Sequence, residues 1–296
     1  MLNETQIDQI YSGRYHINEG AGAPEAIIKP RKEETIMIPD IKVVPYKALL
    51  DIQKCENNEP FVMGNAFSNA ILLGSEAQKD GRLYPEYPDI IWLLRENAAM
   101  KLALAANFIV SKNPFLRLKL CEGYRRLEVQ IRIFNDHLEK LRASGRVFEN
   151  EEELFEVAHQ LVAVPRLAGH PTGGAVDVTL FDLRMEENRD MGTVIYDFSP
   201  RSVEISWKAQ NLTSMQQASR QLLFDAMTQA GFAPYWGEWW HYSFGELEWA
   251  AYYGYAETFY SQVETLKVLK IRERSQECSA YELNRIASTG FLGGDY

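Results

Sequence analysis

Histidine and cysteine are scarce in this 296-residue chain, with five of the first and three of the second. The cysteines, Cys55, Cys121 and Cys278, are odd in number and far apart, and none forms a C-x-x-C pair. That excludes a disulfide scaffold and a four-cysteine metal site, and it reads as free thiols in a reducing compartment. Long apolar runs are missing too. A membrane-spanning helix needs ~20 consecutive apolar residues, whereas the most apolar window, Met100 to Val110, is short and interrupted by Lys101. Positive charge is in deficit: the net charge of −10 argues against a nucleic-acid partner or an anionic membrane surface. The opening residues, MLNETQIDQIYSGRYH, hold no basic stretch followed by an apolar one. No secretory signal is therefore expected, and the expected location is cytoplasmic.

What is present belongs to an ordinary globular protein, 46% hydrophobic and 24% charged, with ample length for a substantial core. Residues 1–35 are polar and punctuated by Gly and Pro, which suggests an N-terminal extension. The main domain is expected over 36–270, with 271–296 as a C-terminal tail. Met37 to Leu50 alternates loosely, like a first strand, and Asn57 to Pro88 is rich in loop-forming residues. Leu94, Ala98, Leu102, Ala105 and Ile109 recur at helical spacing up to Asn113-Pro114. Leu116, Leu118 and Leu120 then alternate with Arg117 and Lys119 as a half-buried strand that ends at Gly123-Tyr124-Arg125. A second helix carries Leu127, Ile131, Phe134, Leu138 and Leu141 on one stripe, closed by Gly145. Glu149 to Glu156 reads as the acidic start of another helix. Ala175 to Leu180 has the β-branched content of a core strand, with Asp177 near its start. A further helix runs from Thr213 to Ala230, with Met215, Leu222, Ala226 and Met227 inward and Gly231 just past its end. Helices flank short strands without a regular βαβ rhythm, so the class is α+β.

Two of the five histidines fall in motifs that carry chemistry. His170 and Asp177 are seven residues apart with Gly173-Gly174 between them, so a loop residue and a strand residue can converge. Glu238-Trp239-Trp240-His241 supplies a second imidazole and a further carboxylate. On a straight strand Glu238 and His241 would point to opposite faces, so a bulge or irregular turn is expected at Glu238-Trp239. Each piece alone has an ordinary reading, as a loop histidine, a tryptophan-rich core strand or a strand-end arginine. Together they supply the parts of a catalytic zinc centre, with three protein ligands, one open position and a nearby carboxylate as base. His16, His137 and His159 read most simply as surface residues, and Trp239 and Trp240 as site wall and core.

The segment His170-Pro-Thr-Gly173-Gly-Ala175-Val-Asp177 resembles the H-x-x-G-x-A-x-D signature of the D-alanyl-D-alanine metallopeptidases. Glu238-Trp-Trp-His241-Tyr-Ser243-Phe-Gly245 is similar to the dipeptidase form of that family's second motif, and Gly123-Tyr124-Arg125 to its G-Y-R-P loop. The three occur in the family's order across roughly residues 90–250. The resemblance implies a vancomycin-resistance-type D-Ala-D-Ala dipeptidase acting in cell-wall peptidoglycan metabolism. It also implies an α+β, hedgehog-like fold in which a small antiparallel sheet flanked by helices bears one zinc ion. His170, Asp177 and His241 would hold the zinc, Glu238 would be the catalytic base and Arg125 would stabilise the oxyanion. Tyr124, Trp240 and Asp197 would contact a small dipeptide substrate, Asp197 at its amino end. The family usually has Ser two residues before the first histidine, where this chain has Ala168, and Pro where it has Arg126. The alternatives are a D,D-carboxypeptidase acting on peptidoglycan precursors and a non-catalytic zinc-stabilised binding module.

Overall fold

The computed structural model describes residues 44–77, 89–197, 212–265 and 267–268. The expected extension over 1–35 and the tail over 271–296 lie outside the described residues. Among the described residues the strands are β1 (Phe61–Met63), β2 (Ile71–Leu73), β3 (Leu93–Arg95), β4 (Leu116–Glu122), β5 (Ala175–Asp182), β6 (Glu187–Asn188), β7 (Ala233–Pro234) and β8 (His241–Ser243). The helices are α1 (Tyr46–Leu50), α2 (Glu96–Lys112), α3 (Leu127–Ala143), α4 (Glu151–His159), α5 (Ser214–Gln229) and α6 (Leu247–Tyr253).

Leu116, Leu118 and Leu120 of β4 face inward and share one cluster with Val176, Val178 and Leu180 of β5. Each such side chain removed from water stabilises the fold by about 1.5–3 kcal/mol. Ala98, Ala103, Ala105 and Ala106 of α2 are fully buried, so α2 lies close against β4 on one side and α5 on the other. Strand order in the main sheet is β2-β4-β5-β8-β7, with β6 pairing on β5. β1 and β3 form a separate antiparallel pair.

The α+β class therefore holds, but the sheet is six-stranded and mixed rather than small and antiparallel, because β2 pairs parallel to β4. A parallel pair needs a crossover connection, and the stretch containing α2 provides it. The loop-rich composition of Asn57 to Pro88 concealed β1 and β2, while 78–88 lie outside the described residues. The first strand expected over Met37 to Leu50 is replaced in its described part by α1, whose buried Tyr46 and Leu49 sit at helical spacing. Leu94 belongs to β3, and α2 begins two residues later.

Elsewhere the elements fall close to their expected bounds, with stripes rotated slightly. In α3 Ile131 is exposed, and Val129 and Gln130 turn inward instead. Asn150 caps α4 by accepting from the Glu153 N–H, and Thr213 caps α5 in a reciprocal pair with Gln216. Met215, expected inward, is exposed, and Leu223, Ala226 and Met227 make the buried side of α5. No helix of the described residues is long and apolar enough to cross a membrane.

Candidate metal centre

Three adjacent strands set one row of polar side chains. Asp177 on β5 stands opposite Glu122 on β4 and opposite His241 on β8. Strict alternation along β4 would send Glu122 to the apolar side with Leu118 and Leu120. The register shifts between Leu120 and Glu122, so a bulge at that point turns Glu122 toward the face that Asp177 occupies. His241 starts β8 after an irregular turn at Trp239–Trp240, which satisfies the bend expected between Glu238 and His241.

His170 comes from a single 3₁₀ turn, His170–Thr172, ended by Gly173 in the left-handed region at φ 78°. A side chain on Gly173 would run into the Phe61 ring, so both the backbone and the space there call for glycine. Arg95, fully buried, fastens this turn: its Nε donates to the Thr172 carbonyl at 2.8 Å and its backbone N–H to the Gly173 carbonyl at 2.9 Å.

His170 Nδ1 lies 2.7 Å from the Gly123 carbonyl oxygen, which makes it the protonated nitrogen. Its buried Nε2 has no hydrogen-bond partner and sits 3.3 Å from Asp177 Oδ1. His241 turns Nδ1 to the same oxygen at 3.0 Å, while Ser243 Oγ lies 3.4 Å from its Nε2. One donor atom from each of His170, Asp177 and His241 lies within 4.8 Å of the others. Ligands about 2.1 Å from a tetrahedral zinc are about 3.4 Å apart, so these residues fit a zinc ion, and the orphaned His170 Nε2 acquires a partner. Burial pulls the His170 pKa down and keeps the ring neutral, against the opposing pull of Asp177. Burial would also raise Asp177, but the two imidazoles outweigh it and hold the carboxylate well below its usual range. For His241 burial acts downward and the Asp177 hydrogen bond prevails, so its pKa is raised. His170 and Asp177 thus present lone pairs to a cation, and His241 would release its proton as the cation binds.

The same cleft is lined by Arg125, Glu238, Trp240, Tyr196, Tyr235 and Glu248, among others. Glu238 Oε2 is 3.9 Å from His241 Nδ1. Arg125 is held on two sides: Nε and Nη2 donate to the two oxygens of Glu122 at 2.8 and 2.7 Å, and Nη1 donates to Gln130 Oε1 at 2.8 Å. Gln130 in turn donates to the Ala163 carbonyl. Three of the five guanidinium N–H groups are thereby engaged, and Nη2 lies 3.7 Å from Asp177 Oδ2. Burial weakens the charged form of Arg125, but Glu122 more than restores it, so the pKa is raised and the charge is permanent.

Two expected substrate contacts, Tyr124 and Asp197, are not among the described residues lining the cleft. Tyr124 is fully buried, donates its hydroxyl to the Val263 carbonyl at 2.6 Å and packs on Phe61, so its ring is core rather than cleft wall. Asp197 is not among the described residues lining the cleft; its neighbour Tyr196 is, with a backbone φ of 64°. Trp240 lines the cleft as expected and meets the Tyr196 ring edge to face, while Trp239 packs in the core with its Nε1 on Thr193. His159, read as a surface residue, is buried at the end of α4. Sequence reasoning missed Glu122, Gln130, Tyr235 and Glu248. The E-G-Y-R run could have flagged Glu122, whereas the others sit on helix and turn positions without a motif.

The family description D-ala-D-ala dipeptidase, of the peptidase M15 group, matches residues 85–263. A D-alanyl-D-alanine dipeptidase of Synechocystis sp. is 29% identical over 181 residues, covering 55% of this chain and 73% of that protein. Two solved structures are similar at lower levels. The vancomycin-resistance D,D-pentapeptidase VanY in complex with Zn(II) is 18% identical, with a TM-score of 0.32 over 56% of this chain and 81% of its own. VanYB in complex with D-alanine-D-alanine is 19% identical, with a TM-score of 0.33 over 55% and 77%. With more than half of its length matched by the family description, the chain belongs to the D-ala-D-ala dipeptidase family of peptidases.

Proposed function

We propose that this protein is a zinc-dependent dipeptidase that hydrolyses D-alanyl-D-alanine, or a close D-configured dipeptide, to free amino acids. The observation that carries the reading is the meeting of His170, Asp177 and His241 in one cleft with Glu238 and Arg125. His170 through Nε2, Asp177 through Oδ1 and His241 through Nδ1 would hold the ion. When bound, zinc supplies Lewis acidity, which lowers the pKa of water toward ~7 and polarises a carbonyl. Glu238 takes a proton from the attacking water as the new C–O bond forms at the scissile carbonyl, then delivers it to the leaving amine as the C–N bond breaks. Arg125 offers its remaining N–H groups to the oxygen on which negative charge grows. Because Glu122 and Gln130 already fix the guanidinium, little reorganisation accompanies that charge. Trp240, Tyr196 and Tyr235 wall the cleft and limit its water content. We place the reaction in cytoplasmic turnover of peptidoglycan precursors, where such dipeptides arise.

The test is release of alanine from D-Ala-D-Ala by zinc-loaded protein. Glu238→Ala should lower kcat at least ~100-fold while retaining one zinc per chain by elemental analysis. Unchanged turnover in that variant would refute the role given to Glu238.

A further inference from the structure

The cleft contains a carboxylate that neither metal binding nor proton transfer uses. Glu248, in the first turn of α6, lines it with a side chain 14% exposed. Its Oε1 lies 3.4 Å from Nε2 of His159, whose ring is buried. His159 Nδ1 accepts from the Val164 N–H at 3.2 Å, so in a neutral ring the proton sits on Nε2, the nitrogen nearer Glu248. Nε2 makes no aligned hydrogen bond, so the two groups are in contact without being bonded.

Tyr235 places this pair relative to the metal ligands. Its ring meets His241 edge to face, with centroids 5.7 Å apart, and its hydroxyl donates to the His159 carbonyl at 3.0 Å. Burial, then the charges of Glu248 and Glu238, push its pKa well up, so the phenol stays protonated between two carboxylates. Among the described residues lining the cleft the only permanent cation is Arg125, and Glu122 already engages it. The wall near His159 is alkyl, made by Leu161, Val162, Leu167 and Ala168. An anionic acceptor set among small apolar groups suits an ammonium that carries a short side chain.

We propose that Glu248, set in the cleft beside the buried His159 ring, receives the α-ammonium of the substrate's amino-terminal residue and so restricts the enzyme to unblocked dipeptides. The proposal rests on the dipeptidase reading, since a dipeptide brings that ammonium close to the scissile carbonyl. It assigns to α6 the amino-end contact that the sequence had suggested for Asp197.

The experiment reads binding apart from turnover. Zinc-loaded Glu238→Gln protein is titrated calorimetrically with D-Ala-D-Ala and with N-acetyl-D-Ala-D-Ala, with and without Glu248→Gln. Glu248→Gln should weaken D-Ala-D-Ala about 10- to 100-fold and leave the acetylated dipeptide within about 2-fold, so the preference for the free amine collapses. Glu248→Asp, which keeps the charge on a shorter arm, should recover part of the affinity. Equal weakening of both ligands, no weakening of either, or no binding of D-Ala-D-Ala at all would overturn the assignment. Failure of the unmodified enzyme to release alanine, with the binding pattern intact, would instead sink only the dipeptidase reading.

Discussion

Arg125 is held by Glu122 through both carboxylate oxygens and by Gln130 on a third side, so its direction is set before any substrate arrives. Glu122 is fully buried, and its substitution should act on both stability and rate. Glu122→Gln replaces an ion pair by a single neutral contact, which leaves the guanidinium undercompensated. We expect a loss of about 3 kcal/mol in urea denaturation and a fall in kcat of about 100-fold, with zinc content unchanged. A variant with full kcat would show that orienting Arg125 does not matter for turnover. At this scale the sequence was legible where a side chain belonged to a motif. His170, Asp177, Glu238, His241 and Arg125 were all singled out, and the fold brings them to one cleft. It was illegible where the role depends on geometry. Tyr124 shares a motif with Arg125 yet points into the core, and His159 gains its setting only when α4 packs against α6 and the Tyr235 turn.

The bulge in β4 shows why periodicity carried the sequence reading only part of the way. Leu116, Leu118 and Leu120 obey a two-residue repeat, and that repeat would bury Glu122 among leucines. One irregular residue inverts the outcome and builds half of the Arg125 clamp. The missed helix α1 and the parallel strand β2 have the same cause, since five- and three-residue elements are too short to show a period. The cap of α6 makes a prediction at this scale. Glu246 accepts from the N–H groups of Glu248 and Trp249 at 3.1 and 3.0 Å, yet it is 1% exposed. Burial first, then repulsion from Glu248, push its pKa from 4.5 to about 7. A carboxyl that binds its proton more tightly when folded contributes stability that is complete below about pH 4.5 and is lost as the pH rises through about 7. Glu246→Gln keeps a neutral acceptor at the cap and removes that dependence. The stability of the variant relative to the parent should therefore grow by about 3 kcal/mol between about pH 4.5 and about pH 8, measured by urea denaturation at each pH. Parallel stability profiles for the two proteins would contradict the burial argument.

At the scale of the whole molecule the question is whether the ion holds the fold together or only equips it. The three ligands come from the His170 turn, β5 and β8, and β5 and β8 are already joined by backbone pairing. The turn bearing His170 is fastened separately by Arg95, through its contacts with the Thr172 and Gly173 carbonyls and its salt bridge to Glu56 at 2.7 Å. The main cluster, running through α2, β4, β5 and α5, is built from side chains that do not depend on the ligands. Asp177, without a cation, still has His241 Nδ1 at 3.0 Å. Removing zinc by chelation should therefore abolish D-Ala-D-Ala hydrolysis and leave a folded protein with one cooperative thermal transition. A ligand present at 100 times its Kd stabilises by about 2.7 kcal/mol, and each kcal/mol moves Tm by about 2–4 °C in a domain of this size. The stripped protein should melt about 5–10 °C lower by circular dichroism, with both Tm and turnover restored when zinc is returned. Collapse of secondary structure on chelation would make the ion a structural element and favour a zinc-stabilised binding module, because the packing described here leaves a catalytic ion little of the fold to support.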